Sequence, residues 1–164
     1  MVRWLHLFGK TDLGFWPLGL ALFFLQELPY LVMPFLALEE NPIMNMVEAS
    51  PGLNFLEKLL GISCVLVMCF VIYGEAPLFS LASGREKLGF FLAALALLGY
   101  YLGWFFYAQG HQSLSLMLGA LVLLPPLYYA AIGLWRGHWL LSGLGLAFGG
   151  VHFLHVYVNF RGHW

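Results

Sequence analysis

LGFFLAALALLGYYLGWFFY, residues 88–107, runs for 20 residues without one charge. About 20 consecutive apolar residues, rising 1.5 Å each as a helix, is what the hydrocarbon core of a bilayer requires. Ser83 followed three residues later by Glu86 has the spacing of a capping box, which marks where this helix starts. Four further segments have the same character: 13–38, 55–73, 114–135 and 139–160. Asn54 with Glu57 repeats the capping-box spacing ahead of the second of the five. The pattern predicts an all-α integral membrane protein, a single domain over residues 1–164 folded as a bundle of about five transmembrane helices. Pro29, Pro34, Pro125 and Pro126 fall inside these segments and predict kinks, because each removes a backbone donor.

Composition supports lipid as the solvent. The chain is 62% hydrophobic and 9% charged, against about 45–50% and about 25% in soluble domains. A chain of this length cannot bury that much apolar surface in a water-facing globule. Its net charge of −1 excludes a basic footprint for nucleic acid. Cys64 and Cys69 are five apart in one apolar run, poorly placed for a disulfide in a straight helix, and no CxxC motif accompanies them. They read as small packing residues. Arg3 and Lys10 precede the first segment, but no small-residue cleavage site follows it, so it reads as a retained first helix.

Lysine and arginine bias sets the orientation. With the N-terminus inside, Arg3, Lys10, Arg85, Lys87 and Arg136 are cytoplasmic, and Lys58 and Arg161 are external. The expectation is N-in and C-out. The first external loop is then acidic through Glu39, Glu40 and Glu48. With no N-x-S/T sequon, the simplest location is a bacterial inner membrane, as a multi-pass protein. Leu13-Gly14-Phe15 and Leu88-Gly89-Phe90 hint at a repeat, but Leu-rich and Ala-rich sequences produce such matches by chance. Five spans do not divide into the equal halves of an inverted-repeat transporter.

Two groups of residues stand out from the apolar background. Glu27, beside Gln26, lies near the middle of the first segment, where a carboxylate costs about 2.5–3.5 kcal/mol to insert. Pro29 leaves the Leu25 carbonyl without its helical donor, and Pro34 does the same to Tyr30. In the fifth segment Gly145, Gly149, His152, His155 and Asn159 are spaced 4, 3, 3 and 4, which places all of them on one helical stripe. Its lower part is a GxxxG that admits a close backbone neighbour, and its upper part is a polar ladder. In the third segment Ala96, Tyr100, Trp104 and Tyr107 form a stripe beside a second GxxxG, Gly99 to Gly103.

At matched depth, Glu27, Tyr100, the Pro125-Pro126 break and His152 gather near one plane, leaning toward the outer leaflet. The candidate ligand-binding residues are therefore Gln26, Glu27, Tyr100, Trp104, His152, His155 and Asn159. Histidines at i, i+3 supply two metal ligands, but zinc needs at least one more and no HExxH is present. A buried pair of haem ligands is not supported, because His111 lies outside its span.

Three functional classes fit these residues. The first is binding or transport of a small or lipid-like molecule in an intramembrane pocket, with Glu27 and His152 as polar anchors or proton carriers. The second is a membrane enzyme acting on a lipid or isoprenoid, with Glu27, His152 and His155 as acid–base groups. The third is a structural or accessory subunit whose GxxxG faces meet a membrane partner or a second copy.

Overall fold

In the computed structural model, which describes residues 1–36, 38, 41–43, 45–74 and 77–161, five helices are long and apolar enough to cross a membrane. They are Pro17–Phe35, Pro51–Phe70, Gly84–Ala108, Leu114–Arg136 and Trp139–Phe160, called here the first to fifth spans. The third starts where its capping box predicts: the Ser83 hydroxyl accepts from the Glu86 N–H at 3.2 Å. The second starts earlier than the Asn54–Glu57 pattern predicts. Its helix opens at Pro51 with Ser50 at the cap position and no side-chain cap bond. Proline suits the first helical position because its missing N–H would be unpaired there anyway. Glu57 thus falls in the second turn and is free for another use.

The chain is not all-α. Strands β1 (Val2–Phe8), β2 (Thr11–Phe15) and β3 (Val71–Tyr73) form an antiparallel sheet in the order β1-β2-β3. A two-residue turn, Gly9-Lys10, joins the first pair, and Gly9 takes φ +59°. Glycine opening a two-residue hairpin loop is the signature of a II′ turn. Asp12 holds the hairpin with Arg3 at 3.2 Å and His6 at 2.8 Å. The sheet shortens the first span: Leu13-Gly14-Phe15 lies in a strand, not a helix, so its match to Leu88-Gly89-Phe90 reflects no structural repeat. Trp16 is extended, its N–H bonds the Cys69 carbonyl at 2.8 Å, and the helix begins at Pro17.

The fourth span is the centre of the bundle. In its most apolar stretch 56% of residues are buried, against 17–33% in the other four. It runs as a π-helical turn over Met117–Val122 and resumes as α-helix over Leu124–Arg136. Pro125 and Pro126 cannot donate to Leu121 and Val122, and the Leu123 N–H reaches back to the Leu118 carbonyl at 3.2 Å. Both GxxxG faces pack on this span. A Cβ on Gly145 would lie 2.7 Å from the Ala130 nitrogen, and one on Gly103 would lie 2.6 Å from the Ala120 Cβ. A Cβ on Gly89 would meet the Trp135 nitrogen at 2.3 Å. The small-residue faces are therefore filled from within the chain.

The backbone acceptor that Pro29 frees in the first span is paired. The Leu25 carbonyl, deprived of its donor by Pro29, accepts from the Tyr101 hydroxyl at 2.6 Å. One turn earlier the Leu22 carbonyl accepts from the Tyr128 hydroxyl at 3.1 Å. At the sheet end, Gly137 (φ +67°) closes the fourth span, and the His138 Nδ1 accepts from the Leu141 N–H at 3.3 Å to open the fifth. The Arg136-Gly137-His138-Trp139 motif is thus a capped turn. The same four residue types recur as Arg161-Gly162-His163-Trp164, of which residues 162–164 lie outside the described residues, as do Glu39 and Glu40.

Cβ space at the glycines separates two outcomes. Gly145→Leu should lower the thermal midpoint in detergent by an amount corresponding to about 1–3 kcal/mol or more of overpacking. Gly143→Leu, on the same helix with nothing within 4 Å of its Cβ, should leave it unchanged. A pH series tests His138, whose imidazole burial holds below its ordinary value near about 6.5. The unfolded chain takes up the proton first, so stability should fall as pH drops below that value, until the folded ring protonates too. His138→Asn, which keeps a capping acceptor, should flatten that part of the slope in thermal midpoints measured from pH 8 to 5.

Candidate functional site

A cavity of about 560 Å3 lies among the five spans. The first span contributes Phe23, Gln26, Glu27 and Tyr30, an i, i+3, i+4, i+7 face. Tyr100 and Trp104 project from successive turns of the third span. The fourth contributes Pro125 and Tyr129 just past its π-helical turn, and the fifth Phe148 and His152, whose rings stack at 5.1 Å. The second adds Glu57, Lys58, Gly61 and Val65. At about 1.5 Å per residue, Glu27 and His152 each lie roughly 12 Å from the helix end opposite the sheet, so the two stand at one depth.

The predicted residues separate into two sets. Gln26, Glu27, Tyr100, Trp104 and His152 line the cavity. Gln26 is buried and accepts from the Tyr129 hydroxyl at 2.8 Å. Glu27 makes no ion pair among the described residues, although His152 attracts it electrostatically across the cavity. Trp104 is 5% exposed, and its buried indole N–H has no hydrogen-bond partner among the described residues. Buried donors are almost always paired, so this one is an exception in the cavity wall. The Tyr30 and Tyr100 rings stand edge-on to Trp104, at 6.2 and 6.1 Å.

His155 and Asn159 lie behind the wall, in a polar lock. Glu57 contacts the His155 Nδ1 and lies 3.1 Å from the His152 Nδ1, out of line for a hydrogen bond with the latter. The other His155 nitrogen, Nε2, faces the two Glu48 oxygens at 3.1 and 3.2 Å and the Asn159 amide at 2.9 Å. Asn159 accepts from the Ala49 N–H at 2.8 Å. The lock therefore ties the segment after the first span down over the cavity, where Ile43 and Met46 line it. Tyr107 helps from the third span: its hydroxyl donates to Asn41 at 2.8 Å and accepts from the Ile43 N–H at 3.2 Å.

The carboxylate nearest His152 is thus Glu57, not Glu27. Sequence reasoning assigned Glu57 to a cap. The available signal was Ser50-Pro51, which starts the helix a turn earlier and makes Glu57 an intramembrane acid like Glu27. Glu48 and Tyr129 carried no such signal, because only the chain's return path brings them to the site. Among the described residues, no group of three His, Cys, Asp or Glu side chains is arranged to hold a metal ion. No protein-family model, curated protein or solved structure matches this chain.

The lock makes its own forecast. Asn159→Ala removes an acceptor worth about 1 kcal/mol. Amide hydrogen exchange over residues 45–50 should accelerate about fivefold, while the fourth span should not change.

Proposed function

We propose that this chain is a multi-pass protein of a cell membrane that binds or transports a small or lipid-like molecule in the cavity between its spans. Glu27 and His152 serve as polar anchors or proton carriers. The observation that carries this reading is the wall itself. One mainly apolar cavity is lined by an intramembrane carboxylate without an ion pair, an imidazole at the same depth and a buried indole N–H without a hydrogen-bond partner, all among the described residues. Ligand sites have this composition: apolar walls with a few convergent polar groups. Intramembrane ionisable residues facing a cavity are the usual mark of a substrate or proton path. The exposed surface fits a lipid surround, with Phe24, Phe91, Leu95, Phe105 and Leu146 all more than half exposed.

The orientation reading is N-in and C-out, in a bacterial inner membrane. Arg136 donates to the Pro77 carbonyl and stacks over Trp16 at 4.8 Å, and the Arg85 guanidinium packs on Gly137. Arg3 pairs within the sheet. These basic residues share the sheet end, while Lys58 and Arg161 lie toward the other, a Lys/Arg bias that supports this orientation.

A second reading, a membrane enzyme acting on a lipid or isoprenoid, has one specific observation in its favour. Glu57 stands against the His152 Nδ1. A carboxylate this close to an imidazole stabilises its protonated form while the ring exchanges a proton with a substrate.

Mass spectrometry of small molecules retained by the purified chain tests the main reading. Wild type should carry a near-stoichiometric compound, and Glu27→Gln and His152→Ala should lose it while keeping their elution volume and thermal midpoint. Well-folded variants that retain the same compound at the same level would overturn it. Turnover of that compound, with a pH–rate profile that collapses in Glu57→Gln, would favour the enzyme.

A further inference from the structure

We infer that the cavity takes a lipophilic organic cation, an amine or quaternary ammonium on an apolar body, with Glu27 as its counter-ion. This rests on the reading of the cavity as a binding site and names the class of its ligand.

Charge in the wall points that way. Four ionisable side chains of obvious consequence line it: Glu27, Glu57, Lys58 and His152. Glu57 is already matched by two imidazoles, with His152 at 3.1 Å and His155 in contact. Lys58 is exposed near the start of the second span, and a lysine there extends its ammonium along its stem to the headgroups. Glu27 forms no ion pair among the described residues, and His152 acts on it only through space. A carboxylate at membrane depth is stabilised when a positive charge accompanies it, and here the ligand is what can supply one.

The remaining wall suits the same ligand. Tyr30, Tyr100, Trp104 and Tyr129 line the cavity with Glu27. Aromatic faces carry negative electrostatic potential, and a cation within about 6 Å of a ring centroid is attracted to them, most strongly by tryptophan. Anions are repelled by the same faces and by Glu27. A neutral apolar molecule would fill the volume and leave Glu27 unmatched. The orphaned Trp104 N–H would be completed by an acceptor atom beside the cationic centre.

Three probes of similar bulk separate the cases in equilibrium dialysis of the full chain in lipid nanodiscs, against empty discs. They are tetraphenylphosphonium, tetraphenylborate and neutral triphenylphosphine oxide. Tetraphenylphosphonium should bind saturably at one per chain, at least tenfold more tightly than either of the others. Glu27→Gln should weaken it tenfold or more, Glu27→Asp should keep the charge preference, and Trp104→Ala should weaken it severalfold. Thermal midpoints identify any variant that fails to fold, and the probe comparison on wild type stands without them. If the borate or the oxide binds saturably and as tightly as the phosphonium, the cation inference is overturned while the binding site stands. If none of the three binds saturably, both fall.

Discussion

The fourth span can lie at the centre of five helices because its neighbours have removed their side chains from the contact. Gly89 and Gly103 on one side and Gly145 on the other bring backbone against backbone or methyl, at distances that leave no room for a Cβ. Lipid offers no hydrophobic drive between helices, so association depends on such close packing and on interhelical hydrogen bonds. The rest of the arrangement follows from this contact. With the third and fifth spans pulled onto the fourth, and the second packed on the fifth, the first span is left to close the ring loosely. The space it fails to fill is the cavity.

Prolines set the depth of that cavity. Pro29 removes a backbone donor from the first span one turn beyond Leu25, beside Gln26 and Glu27, and Pro125-Pro126 interrupts the fourth just before Tyr129. Irregular backbone is tolerated at membrane depth only where protein or a cavity satisfies it. Here the freed Leu25 carbonyl is paired by Tyr101, and Tyr129 pairs Gln26. Tyrosine serves because its ring is apolar enough for a membrane core and its hydroxyl still donates. The same substitution of side chain for backbone recurs at the far end, where Asn159 pairs the Ala49 amide and holds the covering segment.

The polar residues divide their work by position along the fifth span. His155 and Asn159, nearer the helix end, are consumed in fastening the loop. His152, one turn deeper, meets the cavity. Glu57 couples the two sets, since one carboxylate reaches both histidines. The covering segment and the cavity wall are therefore tied to one another through the same two histidines and Glu57.

Much of this was legible in the sequence. The five spans follow from apolar runs, the Ser83–Glu86 box from its spacing, and the matched depth of Glu27, Tyr100, Pro125-Pro126 and His152 from helical rise. These are properties of one helix at a time, and a helix satisfies its own backbone within the segment. What the tertiary structure decided was everything that depends on a second segment. The sheet needs β3, which lies 58 residues further along at the closest pairing of Leu13 with Val71, so the N-terminal residues looked like the approach to a helix. Glu57 and Glu48 join the histidines only because the second span and its preceding loop return to the fifth. The glycine faces could have met another chain, and it is the centrally packed fourth span, broken by its two prolines, that fills them instead.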